Sequence, residues 1–140
     1  MKAFLAGLIA LFLTLAPPSS AFAETVAEFI KRTADARNFS PDILHPEAKA
    51  LARGQGMELI LSNQQIAEIS HQVAAAMQGF EISNFEIQQE TTVGDFVSVV
   101  YSYDYEIDLG ESTVSGVLQS LEILEKQGTS YRFVFGVQIE

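Results

Sequence analysis

Phe96-Val97-Ser98-Val99-Val100-Tyr101-Ser102-Tyr103-Asp104-Tyr105-Glu106-Ile107-Asp108-Leu109 is the stretch on which the reading of this chain turns. Its period is two. Val97, Val99, Tyr101, Tyr103, Tyr105, Ile107 and Leu109 share one face, and Ser98, Ser102, Asp104, Glu106 and Asp108 share the other. Such alternation belongs to a strand that packs on one side and meets water on the other. Gly94-Asp95 before it and Gly110-Glu111 after it are turn signals, so its neighbours are hairpin partners. Upstream, residues 82–91 read as a strand with an irregular step at Ser83-Asn84. Downstream, residues 113–126 read as a third strand, in which Gly116 suggests a bulge or bend. Gln127-Gly128 turns the chain again, and Tyr131, Phe133, Phe135, Val137 and Ile139 are expected on the apolar face of a last strand. Together they predict a four-stranded antiparallel meander.

Its apolar side needs a cover, and the first half of the chain offers helices. Thr25-x-x-Glu28 is a capping box, and it predicts a helix over 25–37. Ser40 before Pro41 predicts a short second helix, ended by His45-Pro46. Residues 47–56 read as irregular or weakly helical, and 57–61 as a short apolar run of strand character. Ser62-x-x-Gln65 caps a helix over 63–77, with Ile66, Ile69, Val73 and Met77 on one stripe and Gly79 beyond its end. The expected order is therefore helix, short helix, short strand, helix and four-stranded meander, an α+β domain.

Composition bounds the function. The chain has 140 residues and a net charge of −10, with no cysteine. Disulfide scaffolds and thiol nucleophiles are excluded, and the charge opposes binding to nucleic acid. Lys2, the apolar run Ala3–Ala16 and Ala21-Phe22-Ala23 follow the pattern of a secretory signal peptide cleaved after Ala23. The run is short of the roughly 20 residues that span a bilayer. Residues 1–23 are thus expected to be a signal peptide, and 24–140 a single periplasmic or secreted domain with no membrane span after cleavage.

The element order resembles the nuclear transport factor 2-like superfamily, to which ketosteroid isomerase, scytalone dehydratase and polyketide cyclases belong. The residues that carry the resemblance are Leu44-His45-Pro46-Glu47 after the first helices, Gly94-Asp95 at the first hairpin, and Gly128 ahead of Tyr131-Arg132-Phe133. Tyr131 stands where the superfamily usually has Trp. A cystatin-like helix wrapped by a meander is the rival architecture. The resemblance implies a cone of helices on a curved sheet, whose open end is a pocket. Such domains bind apolar small molecules or dimerise through the sheet, and the catalytic ones use a carboxylate base with a Tyr or Asp donor.

Tyr101, Tyr103 and Tyr105 share the packed face, which makes them ligand-binding candidates that could orient a flat apolar molecule. The resemblance makes His45 a further candidate, near the pocket mouth. A base to accompany them is harder to find. Asp104, Glu106 and Asp108 lie on the opposite face, about 7 Å apart along the strand, and read as a solvated surface. His71 has no evident carboxylate partner. Arg32, Arg37, Lys49 and Arg53 read as charge-balancing surface. No phosphate loop, dinucleotide fingerprint, nucleophile elbow or H-E-x-x-H motif occurs. No metal, cofactor or catalytic residue is therefore assigned. The expected function is non-catalytic: an exported domain that binds an apolar small molecule or forms a homodimer through its sheet. The alternative is a small isomerase, dehydratase or cyclase acting on an apolar carbonyl compound.

Overall fold

The computed structural model describes residues 23–54 and 56–139. The expected signal peptide, residues 1–23, lies outside the described residues but for Ala23. Two helices and six strands follow in the order α1 (Val26–Ala34), β1 (Leu44–Gly54), β2 (Met57–Ser62), α2 (Asn63–Ala76), β3 (Gly79–Val93), β4 (Phe96–Asp108), β5 (Thr113–Gln127) and β6 (Ser130–Gln138). The strands form one sheet in the order β2-β1-β6-β5-β4-β3. All neighbours are antiparallel except β1 and β6, which are parallel. The meander is present, and Gly94, Gly110 and Gly128 take positive φ at its three hairpins. The irregular step is present too: the β3–β4 register shifts between Ser83 and Glu86, and Asn84 has φ 53°.

The first half differs from its reading. Residues 44–54 form a strand rather than an irregular or weakly helical stretch, and with β2 they extend the sheet to six strands. Alanines and a proline hide this strand from sequence patterns. Pro46 falls where the β1–β6 register jumps between Leu44 and Lys49, the kind of site at which a strand tolerates proline. The expected second helix is one 3-10 turn, Pro41–Ile43. The first helix ends at Ala34, because the Asp35 carboxylate accepts the N–H of Arg37 and starts a separate 3-10 turn.

The two helices do not share the cover equally. From α1, Val26, Phe29 and Ile30 are buried against Val97, Val99, Tyr101, Tyr103 and Leu124. No residue of α2 is buried, and Ile69 and Val73 of its stripe stay 44% and 37% exposed. The core lies beneath α1.

Two details of the last two strands set side-chain directions. Gly116 makes no bulge: it pairs in register with Tyr105, and a Cβ there would meet the Tyr105 hydroxyl at 2.8 Å. The irregularity lies in β6 instead. Ile123 pairs with Phe135 but Leu124 pairs with Phe133, so Val134 is an extra residue. That insertion reverses the alternation. Phe133 joins the buried Leu124, whereas Phe135 and Val137 turn to the outer face beside Ile123 and Leu121. The single apolar face expected for this strand is therefore divided between both sides of the sheet.

Candidate functional site

The central inner face is where the chain holds its unusual chemistry. On β5 the inward residues are Leu118, Ser120, Glu122 and Leu124. Glu122 stands opposite Val99 of β4 and Gly136 of β6. Tyr101, one step along β4, donates its hydroxyl to Glu122 Oε1 at 2.6 Å. Burial raises the Glu122 carboxyl to about 7, and the hydrogen bond from Tyr101 only partly opposes this. Burial, followed by the adjacent Glu122 charge, holds the Tyr101 phenol well above its ordinary range. The same two causes push Tyr103 up to about 12. Both phenols thus remain protonated donors, whereas Glu122 exchanges its proton near neutrality.

Glu122 faces a cavity of about 170 Å³. Phe29 and Thr33 of α1, Ile66 and Ser70 of α2, and Phe39, Ile43, Leu44 and Phe133 form its walls. Thr33 spends its hydroxyl on the Phe29 carbonyl at 2.8 Å. Gly136 makes room for the Phe133 ring, which a Cβ there would approach to 2.7 Å, with Glu122 Cγ at 3.6 Å. No ion pair reaches Glu122 among the described residues. Arg32 is held by Glu24, Arg37 by Asp35, Arg53 by Glu58, and Arg132 by Glu125.

The residues singled out in the sequence fall into other places. Tyr101 and Tyr103 point inward and stack with Phe85, their ring centroids 6.0–6.5 Å apart. They are packed side chains, and Tyr101 reaches the cavity through Glu122. Tyr105 packs against the core edge and lines a separate shallow groove with Ser83, Asp104 and Gly116. His45 accepts the Glu47 N–H on Nδ1 at 3.0 Å, and its Nε2 lies 3.7 Å from Glu125. It does not line the cavity before Glu122. His71 is exposed on α2. Asp104 accepts from the Asn84 amide at 2.6 Å and Asp108 from the Gly110 N–H at 2.8 Å. Among the described residues, no group of three or more acids and histidines could hold a metal, and no helix is long and apolar enough to cross a membrane.

The site residue that sequence reasoning missed is Glu122. Strand β5 carries leucine, isoleucine or valine in both phases, so its alternation does not reveal which phase faces inward. Counting the register from the Gly110 turn would have placed Glu122 beside Val99 and Tyr101.

No family model matches the sequence, and no curated protein does either. Solved structures match by shape. A conserved protein from Planctomyces limnophilus has a TM-score of 0.58 at 11% identity, over 77% of this chain and 82% of its own. A ketosteroid isomerase-like protein from Erwinia carotovora atroseptica has 0.53 at 17% identity, over 79% and 86%. A nuclear transport factor 2-like protein from Cytophaga hutchinsonii has 0.52 at 13% identity, over 77% and 88%. At these identities the likeness speaks for architecture alone. Six curved strands, a parallel β1–β6 pair and an apolar cavity beneath the helices give this chain the nuclear transport factor 2-like fold.

Proposed function

We propose that this chain is an exported, non-catalytic binding domain whose cavity holds a small molecule with an apolar body and one polar group. The observation that carries the reading is Glu122: a carboxyl set among phenylalanine and aliphatic walls, with open space before it. Apolar walls with one placed polar group are the usual anatomy of a small-molecule site. Cleavage after Ala23 would leave a domain whose first residue, Glu24, is anchored in the fold. Its N–H donates to the Thr129 carbonyl at 2.8 Å, and its carboxylate holds Arg32 at 2.7 Å and accepts from the Ser130 hydroxyl.

A second reading, acid–base chemistry on an apolar carbonyl compound, draws on the same pair. A carboxyl titrating near 7 is poised as a general base. Enolisation also needs a donor at the carbonyl oxygen, away from the base. The Tyr101 proton is directed at Glu122 itself, and that of Thr33 at a backbone carbonyl, so Ser70 of α2 is the wall hydroxyl left for that role. Binding is the favoured reading because it needs no such donor.

A homodimer through the sheet belongs to the same proposal. On the outer face Ile60, Leu51, Val137, Leu121 and Val100 form a row across five strands, joined by direct pairing. A continuous apolar row on an otherwise solvent-facing sheet suits an isologous contact.

Native mass spectrometry of the protein from the envelope fraction of its own cells tests these elements together. The expected result is a chain starting at Glu24, dimeric, carrying a small-molecule mass. A bare chain that also remains bare when apolar small molecules are added overturns the binding reading. A bound compound that is chemically converted, with turnover lost in Glu122→Gln, replaces it by the acid–base reading.

A further inference from the structure

Resting on the cavity being a binding site, we propose that its ligand is a small organic cation, an ammonium group on an apolar body. Three observations point the same way. First, Glu122 is a cavity carboxyl whose ion-pair position is vacant: the arginines among the described residues that form ion pairs are matched to Glu24, Asp35, Glu58 and Glu125. Lys49 and Lys126 are exposed, and Lys31 lies over the Phe85 ring at 4.9 Å. Second, Phe29, Phe39 and Phe133 all line the space before that carboxyl. Aromatic faces attract a desolvated cation, and an aromatic-lined pocket is a recurrent site for ammonium ions. Third, the chain carries a net charge of −10, which concentrates cations and disfavours anions at its surface.

The alternatives fit less well on chemical grounds. An anionic ligand would set two negative charges together in an apolar cavity. A neutral ligand would leave Glu122 either unpaired as a carboxylate or dependent on holding its proton. An ammonium ion cancels the charge and fills the acceptor capacity that one phenol leaves. A volume of about 170 Å³ restricts the body to a single ring or a short chain.

Calorimetric titration of the full mature chain at pH 8 with benzylamine, benzyl alcohol and benzoate separates the possibilities. These probes have the same ring and differ in charge. Benzylamine is expected to bind at least about tenfold more tightly than benzyl alcohol, with benzoate weakest. In Glu122→Gln the preference for the amine should vanish while the alcohol still binds. Should that variant not fold, the ranking of the three probes on the unaltered chain decides alone. Benzyl alcohol binding as tightly as benzylamine, or more so, overturns the cation inference and leaves the cavity reading standing. Failure of all three probes at millimolar concentration overturns both.

Discussion

Glu122→Gln is expected to abolish a pH dependence of stability worth about 3 kcal/mol between pH 4.5 and 7. The carboxyl has an ordinary value of 4.5 and is raised to about 7 in the folded chain, chiefly by burial. Between those two values the folded state holds the proton that the unfolded state releases. This contribution is therefore complete below pH 4.5, declines as pH rises through the window, and is gone above 7. Urea denaturation of both proteins from pH 4 to 8 would measure it. Relative to the variant, the unaltered chain should be more stable at pH 4.5 than at pH 8. Glu24 and Asp35 act in the opposite sense at lower pH. Their carboxyls are held below the ordinary range, mainly by Arg32 and Arg37, so their contribution is lost as pH falls. Because both proteins share them, the difference between the two curves isolates Glu122. Parallel curves would mean that the carboxyl is solvated.

Phe29→Ala is expected to cost about 3–5 kcal/mol, the range for truncating a buried aromatic side chain. Phe29 is 1% exposed, lies edge-on to Tyr131 at 5.9 Å, and forms one wall of the cavity. Few side chains of α1 and α2 enter the core, and Val26, Phe29 and Ile30 are the ones that α1 supplies. Since small domains hold only about 5–15 kcal/mol in total, losing Phe29 removes a large share. Val73→Ala on α2 should cost far less, because that side chain is both smaller and 37% exposed. Equal losses for the two variants would contradict a core seated beneath α1. Chemical denaturation followed by circular dichroism gives both values.

How far the sequence could be read depended on whether one period dominated each segment. Strand β4 alternates cleanly, so its inward face was legible down to Tyr101 and Tyr103. The Ser83-Asn84 step and the glycine turns were legible because turns and bulges demand particular residues. Strand β1 was not. Its alanines favour no strand, Pro46 argues against one, and its place in the sheet is set by a parallel pairing with β6, which is distant from it in sequence. The division of β6 was hidden because a single extra residue, Val134, reverses the facing of everything after it. Glu122 was hidden by apolar residues on both faces of β5. The candidate tyrosines were correctly placed on the packed side, but what they pack around is decided by a neighbouring strand's register, and only pairing across strands reveals that.

The state of one carboxyl, Glu122, decides both the cavity site and its ligand. A carbon-13 titration of the Glu122 side chain, assigned by comparison with Glu122→Gln, measures it directly. An enclosed carboxyl facing an apolar cavity should titrate near pH 7 and move down when an organic ammonium ion binds. A midpoint near 4.5, unchanged by any ligand, would place Glu122 in water and remove the basis for both the cavity site and its cation.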